Sequence, residues 1–154
     1  MCKKFVGVFS IDTIPNKELN NIQNFSLICN LAAHDQPGTH FISILCNKNK
    51  LFYLDPLGKN TLIKPYTFTS SKKNNLQKLL TKFINQSNKN FFHNLTPIQP
   101  MNSNFCGFYC IYFILNWEKS QNINKFFQPF NSSNLNSNDE IVIKEIKKLL
   151  NKTI

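Results

Sequence analysis

Cys106 stands where the polar run Asn102-Ser-Asn104 gives way to the apolar stretch from Phe105 to Trp117. That junction reads as a helix N-terminus, where unpaired N–H groups and the helix dipole favour an anion. A free thiol titrates near ~8.5 and attacks only as the thiolate, so such a position beside an imidazolium is where a reactive cysteine is made. Gly107 follows and, lacking a side chain, lets a substrate backbone come close. Taken alone, Cys106 reads more readily as a core cysteine, since free cysteine is among the most buried residue types. Cys110, one turn further on the same face, reads as core.

Acyl transfer to a thiol needs a base, a group that orients the base, and donors for the oxyanion. His40-Phe-Ile-Ser-Ile-Leu-Cys46 and Leu51-Phe-Tyr-Leu-Asp55 are rich in β-formers and flank Asn47-Lys-Asn-Lys50, which predicts a hairpin. A two-residue loop at Asn47-Lys48 pairs Cys46 with Asn49 and sets His40 opposite Asp55. Their Cβ atoms would then stand roughly 4.5–5.5 Å apart on one face. A slip of one residue would send Asp55 to the wrong face; a slip of two would leave it diagonal but reachable. A carboxylate in that place holds an imidazole in the tautomer a base requires. Gln99, seven residues before Cys106, carries an amide able to donate to an oxyanion beside the Cys106 N–H. By itself it reads as an ordinary loop glutamine. His34, beside Asp35 in a Pro-Gly loop, reads as solvated, and His93 as structural or exposed.

The elements that must position these residues follow from pattern. Residues 5–9 and Asn24 to Leu31 read as strands, and Ser10 to Pro15 as a turn into a helix or loop. Asp55-Pro56 ends the second hairpin strand, because proline cannot donate to the ladder. Leu76, Leu79, Leu80 and Phe83 recur at helical spacing within 70–85, with the lysines largely off that face. Phe91 to Ile98 reads as extended. The stretch 105–117 is apolar nearly all round, which suits a helix buried in the domain centre. A polar loop over 119–138 leads to an amphipathic helix over 139–154, acidic at its start and basic at its end as the dipole favours.

Composition sets the frame. The chain of 154 residues fits one domain over 1–154, and 42% hydrophobic residues suffice for a core. Eighteen basic residues against eight acidic give a net charge of +10, which favours polyanions such as nucleic acid, or reflects a Lys- and Asn-rich composition. Five cysteines in no paired framework point to a reducing compartment. The C-x3-C pair at 106 and 110, with His93 the only nearby histidine, makes a poor zinc site. The longest apolar run falls short of the ~20 residues that span a bilayer, so no membrane partner is expected.

Taken together and in order, these motifs resemble a family. Gln99-x6-Cys106-Gly107, with His40-Phe41 and Asp55-Pro-Leu-Gly58 upstream, is similar to the adenovirus-type processing protease, adenain, within the wider class of Ulp/SENP proteases. The opening segment Gly7 to Pro15 and the pair Asn116-Trp117 extend the resemblance over residues 7–117. It implies an α+β, papain-like fold, with a central helix packed on a small, mostly antiparallel sheet. It also implies Cys106 as nucleophile, His40 as general base, Asp55 as its orienting partner and Gln99 as an oxyanion donor. The chemistry would need no cofactor, and the substrates would be virion precursor polypeptides, in a virion or virus factory. DNA or an activating peptide would be a possible activator, and a monomer is expected. The short, Lys- and Asn-rich chain looks more like the proteases of Polinton-like elements and virophages than like the adenoviral enzyme. It departs from the latter in three ways: a shorter region after the central helix, a tighter spacing of 15 between His40 and Asp55, and no cysteine between Asp55 and Gln99. The last speaks against covalent activation by a peptide. The alternatives are an isopeptidase acting on ubiquitin-like modifiers, or a basic nucleic-acid-binding module without enzymatic activity.

Overall fold

The computed structural model describes residues 4–58, 74–85, 90–120 and 122–151. The elements are β1 (Lys4–Ser10), α1 (Asn16–Leu19), β2 (Asn24–Asn30), β3 (Phe41–Asn47), β4 (Lys50–Leu54), α2 (Asn75–Ile84), β5 (Asn90–His93), α3 (Cys106–Ser120) and α4 (Asn138–Asn151). Two 3-10 turns, Ile123–Lys125 and Leu135–Ser137, fall in the polar stretch before α4. Positions 70–73 and 152–154 of the two expected amphipathic helices lie outside the described residues.

The strands form one sheet in the order β1-β2-β3-β4-β5. Its two inner pairings are antiparallel, while β1–β2 and β4–β5 are parallel. The parallel edges differ from the mostly antiparallel sheet expected, and the reason is connection length. Parallel neighbours need a crossover of a dozen or more residues, and the segments carrying α1 and α2 provide it.

Alternation along the strands divides the core in two. Leu27, Cys29, Ile42, Ile44, Leu51 and Tyr53 face α2, whose buried stripe is Leu76, Leu79, Leu80 and Phe83. A capping box between Asn74 and Gln77 starts that helix. Ile28, Leu45, Phe52 and Leu54 face α3, which contributes Tyr109, Cys110, Phe113 and Trp117. Covering both faces explains why β2 to β4 read as nearly continuous apolar runs. The helix α3 is not enclosed all round, as its composition suggested: Phe108 and Ile111 are exposed on its outer side.

The β3–β4 hairpin turns at Lys48-Asn49, two positions out of the expected register: Cys46 faces Leu51 and Asn47 faces Lys50. Lys48 takes φ 45°, the left-handed sense that matches a two-residue loop to strand twist. The observed register sets Leu45 against Phe52 and Ile44 against Tyr53, and leaves polar Asn47 and Lys50 together at the rim. The expected register would have put Lys50 against buried Leu45, so side-chain pairing selects the shift.

Candidate active site

Cys106 is the first residue of α3. Its own N–H lies in the first turn, where no intrahelical carbonyl is available. The carbonyl of Phe105 accepts from the Phe108 and Tyr109 N–H groups at 2.8 and 3.2 Å, opening the helix. A Cβ built on Gly107 meets nothing within 4 Å, so the space beside the thiol is open.

Despite the shifted hairpin, His40 and Asp55 meet: His40 Nε2 lies 2.7 Å from Asp55 Oδ1. His40 is the residue before β3, and Asp55 the residue after β4. Continuing the register from Ser43–Leu54 would put Asp55 beside Ile42, so the pair joins on the diagonal. The side chain of His40 is 17% exposed and that of Asp55 only 1%. The His40 ring also meets the Cys106 thiol, and the sulfur interacts with the backbone N–H groups of Phe41 and Gly107.

Electrostatics follow from those contacts. Burial pushes the Cys106 thiol up, but the His40 hydrogen bond, the two N–H groups and the His40 charge outweigh it and hold the thiol below its ordinary range. Burial likewise opposes the charged form of His40, yet the hydrogen bonds to Asp55 and Cys106 and both negative charges raise it to about 9. Cys29 shows the opposite behaviour, pushed up to about 12 chiefly by burial, and burial also raises Cys110. Cys110 is thus the core cysteine the sequence suggests, and Cys106 is the one whose surroundings favour a thiolate.

Gln99 is 2% exposed. Its Nε2 donates to the Ser103 carbonyl at 2.8 Å, which fixes the side chain and leaves the second proton of the same nitrogen. Its backbone N–H and that of Ile98 both donate to the Pro56 carbonyl, at 3.0 and 2.9 Å. The segment bearing Gln99 is therefore tied directly to the turn bearing Asp55.

That turn is built by its own residues. Gly58 N–H donates to the Asp55 carbonyl at 2.9 Å, and Leu57 N–H to Asp55 Oδ1 at 2.8 Å. Gly58 has φ +63°, and a Cβ there would come within 2.6 Å of the Leu95 carbonyl oxygen and the Pro97 nitrogen. Both contacts are backbone, so neither yields cheaply. Gly58→Ala is expected to lower stability by about 2–3 kcal/mol from strained φ and displaced backbone, read as a fall in the urea midpoint.

Reading the sequence missed the supports. Asn94 hydrogen-bonds both backbone groups of Asp55. Asn138 is fully buried and donates to the Ile98 and Asn131 carbonyls, tying the start of α4 to the segment before Gln99. No periodicity marks such side-chain-to-backbone contacts in a chain so rich in asparagine. The rival histidines lie apart from the thiol. His34 is exposed, though paired with Asp12 at 2.7 Å, which raises its pKa, and His93 closes β5.

A cleft of about 420 Å³ opens over Cys106, His40 and Gln99, walled by Gly38, Leu57 and Met101. A larger hollow of about 530 Å³ lies along α4 and touches this region only through Phe105. The smaller one holds the perturbed thiol and imidazole, so it is the candidate site. Among the described residues no cluster of three His, Cys, Asp or Glu side chains could hold a metal ion.

The model of the adenovirus endoprotease family matches residues 5–149 of the chain. Among solved structures, the chain is similar to ChlaDub1 from Chlamydia trachomatis, at 16% identity and a TM-score of 0.47. That match covers 88% of this chain and 64% of the other, so the chain spans a little under two thirds of that protein's length. No curated protein sequence matches.

Proposed function

The chain belongs to the adenovirus endoprotease family, and from that premise we propose that it is a cysteine protease in which Cys106, His40, Asp55 and Gln99 carry out peptide-bond hydrolysis through an acyl-enzyme. The observation that carries the assignment is the 2.7 Å bond from His40 to Asp55, with His40 held in turn on the thiol at the start of α3. The Cys106 thiolate adds to the scissile carbonyl and forms the C–S bond. The resulting oxyanion is met by the free Nε2 proton of Gln99 and the N–H of Cys106. His40, as imidazolium, gives its proton to the leaving amine as the C–N bond breaks. Neutral His40 then takes a proton from water, whose oxygen attacks the thioester and returns the thiolate. Asp55 keeps the ring oriented and supports its charge throughout. None of these steps calls for a cofactor.

Gln99→Ala is expected to cut kcat by roughly 10²–10³-fold with little change in KM, since the donor acts on charge that develops only in the transition state. Single-turnover acylation rates check it.

The substrates we assign are virion precursor polypeptides, cleaved during particle maturation. Family membership supports this reading. The net charge of +10 supports DNA as a track or activator, in a virion or virus factory. Incubating the protein with capsid-precursor polypeptides, ubiquitin precursors and SUMO precursors, with and without DNA, tests the assignment. Preferred cleavage of the capsid precursors, accelerated by DNA at low salt, is the expected result. Efficient removal of a ubiquitin-like tail with the capsid precursors left intact would sink it.

A further inference from the structure

The strand β5 ends at His93, paired with Tyr53 of β4. Beyond that point the neighbour of β4 is a side chain. Asn94 Oδ1 accepts the backbone N–H of Asp55 at 2.8 Å, and Asn94 Nδ2 donates to the Asp55 carbonyl at 2.7 Å and to the Thr96 carbonyl at 3.2 Å. The amide takes the place of a peptide group in the ladder and holds residue 55 by both backbone groups. Both of its donor protons are engaged, and its oxygen accepts the Asp55 N–H.

Among the described residues, the Asp55 backbone otherwise bonds only within its own turn, through Gly58, while the Ile98 and Gln99 N–H groups tie that turn one residue on, at the Pro56 carbonyl. Asp55 follows the last residue of β4, it precedes a proline, and among the described residues its carboxylate accepts only from His40 Nε2 and from Leu57 N–H inside its own turn. With one carboxylate oxygen lacking any hydrogen-bond partner in a site 1% exposed, the side chain has no second anchor outside that turn. From these contacts we infer that Asn94 is a positioning residue for the reaction, holding the Asp55 carboxylate against His40 by clamping its backbone. The inference rests on the catalytic role proposed for Asp55.

The chemistry of the clamp is specific to asparagine. Aspartate at 94 lacks the donor, glutamine is one carbon too long, and serine keeps a single short hydroxyl. A misplacement of Asp55 by about 1 Å is enough to cost on the order of 10²-fold. The groups facing His40 are Asp55 and Cys106, so a displaced Asp55 also removes the anion that keeps the imidazole protonated.

The test is a double-mutant cycle in the full chain, with Asn94→Ala, Asp55→Ala and both together, read by kcat and KM on a peptide that the wild type cleaves. Iodoacetamide alkylation of Cys106 across pH gives a second readout that needs no substrate. Expected for Asn94→Ala is a 10- to 100-fold loss in kcat, KM within about threefold, and an alkaline limb of the pH profile moved down by about one unit. In the Asp55→Ala background the Asn94 substitution should cost nothing further. An unchanged alkaline limb, or a full and additive loss in that background, overturns the inference and makes Asn94 a fold residue only. Should Asn94→Ala fail to fold, Asn94→Ser is put through the same cycle and judged by the same two criteria. If Asp55→Ala itself leaves activity and the alkaline limb untouched, the catalytic assignment of Asp55 fails, which is a separate outcome.

Discussion

Cys106→Ala is expected to reduce peptide hydrolysis on the order of 10⁶-fold, to the level that binding and the oxyanion donors sustain alone. In the proposed mechanism the residue is the only source of the covalent intermediate, so its loss cannot be shared out among neighbours. The fold should tolerate the change. Alanine is the best helix former, the sulfur is only partly buried, and the space beside Gly107 is open. Cys106→Ser should be nearly as inactive, because a hydroxyl at this position does not ionise as the thiol does. Parallel thermal melts and turnover measurements check both variants. Retained cleavage by either, or activity lost only because the melting transition is lost, defeats the assignment.

The pH profile and the His40→Ala variant form the second large effect. His40 is protonated up to about 9, while Cys106 loses its proton below its ordinary range. Between those two limits the pair exists as thiolate and imidazolium, the state ready to attack. Activity should rise as the thiol ionises, on a limb that lies below the ordinary thiol range, and fall as His40 deprotonates near 9. The two groups are coupled, so the limbs report the pair and not either residue singly. His40→Ala removes at once the proposed general acid and the cation that lowers the thiol, and a loss of about 10⁴-fold or more is expected. Alkylation of Cys106 at neutral pH should slow in the same variant, because its thiolate fraction falls. Asp55 would be left buried without its charged partner, so the melting temperature should drop too. Alkylation that stays fast at neutral pH in His40→Ala would show that the thiolate does not depend on the imidazole.

How legible the site was depends on the residue. Cys106 was visible through its place at the mouth of an apolar helix, a local property of the chain. His40 and Asp55 were visible through hairpin geometry, although the register derived for them is two residues off. They meet nonetheless, because a shift of two keeps every side chain on its face and a long imidazole reaches the diagonal. Gln99 stood out only beside a family pattern. Its fixing through Ser103 and Pro56 is tertiary and leaves no periodic trace. Asn94 and Asn138 could not be singled out, because one asparagine among many differs from the rest only in which carbonyl lies opposite.

The helical face of α2, the strands around the hairpin, the α3 helix and the order of the four candidate residues were all determined by sequence alone, through periodicity and turn chemistry acting over a few residues. The tertiary structure alone decided which way the edge strands run, which side of α3 stays open, and how Cys106 differs from Cys29 and Cys110. Those outcomes depend on burial and on partners distant in the chain. A thiol's charge is set by the histidine and N–H groups around it, and only the closed sheet brings His40, held by Asp55, to the start of α3.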